Sequence, residues 1–347
     1  MTRGVRDLRQ IQFCIQPECD TSGTVIARIV GKCGIELDVG RVLPKEATGI
    51  TASNIVDRMI DKYQLAQGPV TPGEEGATYE QLPWYLVMGT VGGATVGPVG
   101  NAGIGYTWTF APAHTTIDQA DTGTIIYGDN AAQWQGTCCI GQQTVLSSAF
   151  QGMWQIELDT VCRDWDNTGI DFVDIAYPTP LNTILGQMTS FYLDTTCQFA
   201  GAPTVYTQSM IDWSLTIPGF HPKFFQDGVI YWSTYGMASR SLLLEWTMEF
   251  DDDLAKAVVW EAFATGTPLY VRLQAIGGLI PGTAINFSAT IDLVLQPISS
   301  TTLDERDGND IIKFTAETVY DGVDCAVMPE WQIVIVNFDS GLPLCTT

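Results

Sequence analysis

His114 and His221 are the only imidazoles in the chain, so a Ser-His-Asp triad or a histidine metal site would have to use one of them. They stand about a hundred residues apart, each beside a proline or a loop-like sequence, and no G-x-S-x-G nucleophile elbow accompanies either. Both read as loop histidines. Asp251-Asp252-Asp253 could offer carboxylate oxygens to a hard cation. Three acids directly before a helical run serve better as a cap, because they accept from its free amides and complement its dipole. The run Asp304-Glu305-Arg306-Asp307-Gly308-Asn309-Asp310 lacks the residue order and the distant glutamate of a calcium loop, which leaves a solvated hairpin turn. Gly31-Lys32-Cys33-Gly34 is too short for a phosphate cradle. The vicinal Cys138 and Cys139 would point to opposite faces of a strand and read as packing thiols. No constellation supports an enzyme, and neither metal nor cofactor is expected.

Composition narrows the classes further. Sixteen Lys and Arg stand against 39 Asp and Glu, a net charge of −23, with charged residues only 16% of the chain. The acidity comes from missing bases, and that deficit argues against static nucleic-acid binding, which needs cation clusters to neutralise phosphates. An acidic wall can still serve DNA by repelling it, so that a duplex slides past without sticking. Solubility and a saline habitat explain the same balance. Nine cysteines in no regular framework imply reduced, intracellular thiols. The N-terminus MTRGVRDLRQIQF has no apolar signal-peptide core, so assembly in a cytoplasm is expected. The uncharged stretch 84–110 holds too many glycines to cross a membrane as a helix. Ten tryptophans are scattered, with Trp154, Trp246 and Trp331 inside strong strand patterns, which suits core or interface packing.

The elements are mostly strands. Period-two patterns predict strands over 24–30, 106–110, 122–127, 144–150, 152–158, 211–217, 241–250, 269–275 and 287–296, and a closing pair over 311–320 and 331–336. Ile55, Met59, Ile60 and Tyr63 recur at helical spacing and predict a helix over 51–66, ended by Gly68-Pro69. A second helix is predicted over 254–264, closed by Gly266. Residues 79–88 form a short apolar segment of either type, and the glycine-rich run 89–105 reads as a long loop or hairpin tip. At 347 residues two domains are the natural expectation, with 164–182 as the linker.

Several blocks, taken in order, resemble the tail tube proteins of long-tailed bacteriophages. They are TGTIIYGDNAAQW at 122–134, GTCCIGQQTVLSSAF at 136–150 followed by MWQIEL, the strand, acid-preceded helix, Gly and Arg272-bearing strand over 241–273, and 287–295 with the terminal pair ending in IVIVN. Together they span roughly two-thirds of the chain. The resemblance implies a mainly β fold with flanking α-helices, a tail-tube-type β-sandwich or partial barrel. It would comprise two tube-like units, 1–165 with an N-terminal arm and the Gly-rich loop, and 166–347. It implies a structural virion protein, assembled in the host cytoplasm and resident in the virion tail. Self-association would give stacked trimeric rings of pseudo-sixfold symmetry, or hexamers, in contact with tape-measure and tail-tip or terminator proteins. Double-stranded DNA would pass through without specific binding, and no membrane insertion is implied. Glu157, Asp159, Glu245, Glu249, Asp292 and Glu317 are then candidate lumen-facing acids, while Gly92, Gly93, Val96, Gly97 and Val99 are candidate inter-ring contacts. A glycan- or receptor-binding β-sandwich module, a hydrolase of unknown type, and a capsid or tail-terminator subunit are the competing readings.

Overall fold

Runs of β-branched and aromatic residues at period two become strands along most of the chain, because alternate side chains bury one face of a pleat. The computed structural model describes residues 10–16, 19, 25, 27–42, 60–89, 94–99, 105–112, 120–129, 132–149, 151–168, 170, 175–176, 181–199, 201, 203–206, 210–226, 229–237, 241–250, 258–300, 304–306, 308–322, 325 and 330–339. Its strands through the first half are β1 (Gln10–Gln16), β2 (Ala27–Ile29), β3 (Lys32–Cys33), β4 (Glu36–Val42), β5 (Ile60–Thr71), β6 (Ala94–Val99), β7 (Gly105–Phe110), β8 (Thr122–Gly128), β9 (Gln133–Ala149) and β10 (Gln155–Asp166). There follow β11 (Thr189–Asp194), β12 (Val205–Tyr206), β13 (Met210–Pro218), β14 (Phe220–Lys223), β15 (Thr234–Met237) and β16 (Leu243–Glu249). The chain ends with β17 (Leu269–Leu279), β18 (Asn286–Ser300), β19 (Asp304–Arg306), β20 (Asn309–Thr318) and β21 (Trp331–Asn337). Two short α-helices lie among the described residues, α1 (Leu82–Gly89) and α2 (Glu261–Thr265). The fold is mainly β, built on a large antiparallel sheet that does not close into a barrel.

Two long strands organise it. β9 holds β10 along one edge, and its other edge is shared, residues 133–139 pairing with β8 and 143–149 with β13. β18 repeats the device: residues 286–295 pair with β17, while the other edge takes β21 at 288–293 and β20 at 295–300. A strand that changes partners midway carries the chain from one sheet layer into the next. β13, β16 and β20 connect the two, giving the order β10–β9–β13–β16–β20–β18. Outward from this ladder run β10–β5–β4, β8–β1–β2, β17–β11–β12 and β21–β7–β6. Strands of residues 1–165 and 166–347 therefore share hydrogen bonds, through β9–β13 and β7–β21.

The core lies on one side of the ladder. Ile156, Leu146, Leu215, Leu244 and Ala316 stand opposite one another across five strands, all buried. Trp213, Trp246 and Phe314 form the next row. Trp154 meets Trp213 edge-on at 4.9 Å and Trp246 stacks on Phe314 at 5.5 Å, the geometries that aromatic quadrupoles favour. Trp331, Ile333 and Ile335 of β21 are buried while the residues between them are half-exposed, as their alternation requires. Helix α1 (LPWYLVMG) is buried on every side, which resolves the ambiguous apolar segment 79–88 as a core helix.

Three expectations are corrected. Residues 60–66 are not helical: they open β5, which pairs with β4 and β10 and buries Leu65, Ala66 and Val70. Residues 51–59 lie outside the described residues. Gly68-Pro69, expected to stop a helix, lies within β5, where the missing side chain of Gly68 lets the Gly34 carbonyl approach and the Pro69 carbonyl accepts from Gly34 N at 2.8 Å. The run 89–105 is not one long loop, since 94–99 form β6 against β7, with Pro98 on an outer strand where a missing N–H is tolerated. The second helix appears as α2, closed by left-handed Gly266 (φ 71°) as its sequence suggested, while Asp251, Asp252 and Asp253 lie outside the described residues.

The third correction concerns the cysteines. Cys19–Cys138, Cys139–Cys162 and Cys197–Cys325 are disulfides, and Cys14 is disulfide-bonded as well. Cys138 and Cys139 do point to opposite sides, but as half-cystines: Cys139 sits in the main core, and Cys138 in a second cluster with Ile140, Val161, Phe220 and Trp232. Cys138 takes a left-handed backbone (φ 50°) to do so. Cys33 keeps its thiol, and burial pushes it up to about 11, which makes it a poor nucleophile. Among the described residues no helix is long and apolar enough to cross a membrane. Peptide mapping under non-reducing conditions is expected to recover the three named pairs. Recovery of those peptides as free thiols from protein purified without reductant would contradict this linkage.

Candidate functional site

The ladder has a second side, and its residues come from the alternate positions of the same strands. Register places Glu157, Val145, Thr216, Leu243, Glu317 and Gln296 in one row across β10, β9, β13, β16, β20 and β18. The next row is Gln155, Ser147, Ser214, Glu245, Thr315 and Ser299. Asp159 continues the first strand, and Glu249 the fourth, by the same parity. Five of the six candidate acids, Glu157, Asp159, Glu245, Glu249 and Glu317, thus project from one face, and all are exposed or half-exposed. The apolar rows behind them hold that face rigid, because a slip of one residue would turn every strand inside out.

Short hydroxyl and amide side chains fill the space between the acids. Ser147, Gln155, Asp212, Ser214, Glu245 and Lys313 line an open depression of about 450 Å³. Two cations are tied to its carboxylates: Lys313 Nζ lies 2.8 Å from Glu245 Oε2, and Arg306 Nη1, from β19, lies 2.9 Å from Asp212 Oδ2. Exposed pairs of this kind contribute little stability, about 0–1 kcal/mol each. Their effect is on the field, since each cation is neutralised in place while Glu157, Asp159, Glu249 and Glu317 have no cation partner among the described residues.

Asp292 departs from the expected set. Strand parity puts it on the same side of β18 as Gln296, yet it is only 4% exposed. Arg272, opposite it on β17, grips it with two hydrogen bonds, Nε–Oδ1 at 2.6 Å and Nη2–Oδ2 at 2.9 Å. Burial raises the Asp292 carboxyl above its ordinary value, with the guanidinium working against that shift. A buried, paired carboxylate cannot act as a free lumen acid. Of the candidate inter-ring residues, Val96, Gly97 and Val99 lie on β6, and Gly92 and Gly93 lie outside the described residues. His221 is exposed on β14, and His114 lies outside the described residues. The run 304–310 is the β19–β20 hairpin, as its sequence indicated. No group of three or more His, Cys, Asp or Glu is placed to hold a metal ion among the described residues.

Two carboxylates away from this face, Glu80 and the half-buried Asp121, are shifted by their surroundings. Glu80 is fully enclosed and accepts from Asn182 N at 2.9 Å and Asn182 Nδ2 at 2.7 Å; burial raises it despite those bonds. Asp121 is likewise raised by burial. Pattern reading missed both residues, because the local sequence around an acid carries no signal of what the distant chain will lay over it. Compared with known proteins, the chain matches no family model and no curated protein.

Two outcomes follow. Arg272→Ala leaves Asp292 buried and uncompensated, and urea unfolding should report a loss of about 3–5 kcal/mol. A near-neutral result would mean that the pair is solvated. Glu80, Asp121 and Asp292 all have folded-state values above the unfolded ones. Their stabilising contribution is complete below the unfolded values, near pH 4, and is lost as pH rises through the folded ones. Stability at fixed salt should therefore increase on going from pH 7 to about pH 5; a flat or falling profile would contradict these shifts.

Proposed function

We propose that this chain is a tail tube subunit of a long-tailed bacteriophage, a structural virion protein that polymerises as stacked rings and lets DNA pass during ejection. The observation that carries the reading is the open acidic face, onto which five candidate acids from both halves of the chain project from β10, β16 and β20. Lining a channel, these carboxylates would repel phosphates, and the two tethered cations would offer no grip. The apolar side of the same strands keeps the wall stiff. A chain of 347 residues with two strand-rich halves suits a trimeric ring of pseudo-sixfold symmetry, with a hexamer as the alternative. β6, carrying Val96, Gly97 and Val99, is a candidate contact between rings, and tape-measure, tail-tip and terminator proteins are the expected partners.

The disulfides favour a second reading, a β-sandwich module that binds a glycan or receptor outside the cell, where such cross-links persist. Negative-stain electron microscopy at rising concentration, with and without a tail-tip seed, separates the two. Rings or hollow stacked tubes are expected, and their rotational symmetry will distinguish three chains from six. A compact monomer under every seeded condition would overturn the tube reading and leave the binding module.

A further inference from the structure

Beyond β11 the chain crosses the outer side of β17 and β18. Cys197 and Phe199 pack there against Tyr270, Val294 and Cys325, a small cluster separate from the main core. The inward residues of the same strands, Val271, Leu273, Leu293 and Leu295, belong wholly to the main core. What holds this cover in place is limited. Arg272 Nη2 donates to the Phe199 carbonyl at 2.9 Å, and its guanidinium lies 5.6 Å from the Phe199 ring centre. Tyr270 donates its hydroxyl to Asp321. Thr195, Thr196 and Gln198 are exposed, so the segment contributes little buried area of its own. Among the described residues the Cys197–Cys325 disulfide is its one cross-link, joining positions 128 residues apart.

We propose that Cys197–Cys325 is a redox latch on this cover, and that the latch decides whether Asp292 and Arg272 are buried or join the open acidic face. Closed, it keeps Phe199 over the ion pair and excludes water. Opening requires a dithiol. One thiolate attacks a sulfur of the disulfide and the other protein sulfur leaves as a thiolate. The second thiol of the reagent then displaces the mixed disulfide, so two electrons and two protons pass to the protein and the reagent departs as a cyclic disulfide. Among the described residues the cover then keeps the Arg272–Phe199 hydrogen bond, the Phe199 ring contacts with Arg272 and Tyr270, its small apolar cluster and the hydrogen bonds of Thr204 with Leu193 and Asp194 at its base, whereas the ladder beneath keeps its core. The latch would thus act by local opening, drawn from the low-stability end of the structure. The same chain would present five acids on this side when oxidised and a sixth, with its arginine, when reduced.

The test is amide hydrogen exchange on the full chain, comparing the oxidised protein with the Cys197→Ser/Cys325→Ser double variant, which isolates this pair from the other disulfides. The expected result is exchange at 195–199 faster by about tenfold or more, with β9, β13 and β16 as protected as before. Treating the oxidised protein with a dithiol should reproduce that pattern and make Cys197 and Cys325 available to an alkylating label. Unchanged protection at 195–199 in the double variant would overturn the latch. So would loss of protection throughout the ladder, because the disulfide would then be part of the global fold. Neither result depends on whether the chain forms tubes, which microscopy reads separately.

Discussion

The hydrogen-bonded ladder β10–β9–β13–β16–β20–β18 is the constraint from which the rest of this molecule follows. Its apolar side chains can bury only if all six strands keep one common register, because side chains alternate with period two. Trp154, Trp213, Trp246 and Phe314 make that register expensive to disturb, since each large ring buries far more area than an aliphatic residue. The two shared strands, β9 and β18, then distribute the order to four flanking sets of strands. Chain segments far apart in sequence become neighbours through them.

What the outer side becomes depends on what covers it. Beyond Asp159 it is covered by the apolar cluster of Ile140, Val161, Phe220 and Trp232, with the β14–β15 pair among its contributors. Toward β17 it is covered by the segment bearing Cys197 and Phe199. Among the described residues the middle is left to solvent, and that is where the short polar residues and carboxylates lie. The acidic face is therefore the part of a longer outer surface that no loop among the described residues covers.

Charge and cross-linking belong together in this chain. A net charge of −23 repels itself more strongly when the chain is compact, which favours the unfolded state. Each disulfide removes conformations from the unfolded chain, by about 2–4 kcal/mol in typical cases, and so offsets that repulsion without adding cations. Two of the three mapped links fasten satellite clusters to the outer side and the third joins β9 to β10 directly. Cross-links of this kind tighten the covers and the central ladder alike.

The strand pattern was legible in the residues. Ile312, Phe314 and Ala316 bury as their alternation demanded, as do Trp331, Ile333 and Ile335, and five of the six candidate acids stand exposed or half-exposed while Asp292 is buried. Local sequence could do this because a strand's two faces are decided by neighbours two residues away. It could not decide the rest, for reasons that are equally physical. Ile60 to Ala66 satisfies a helical spacing as well as a strand, and pairing with β4, with β10 taking up the strand from Ala66 onward, settled it. The cysteines carry no spacing that announces pairing, because their partners lie 119, 23 and 128 residues away. Asp292 faces outward like the other acids, yet a segment almost a hundred residues earlier covers it and Arg272 holds it. The sequence by itself determined which side of each strand a residue occupies, a matter of backbone geometry. Which of those sides meets water was decided only by the tertiary structure, because exposure depends on what the distant chain lays over it.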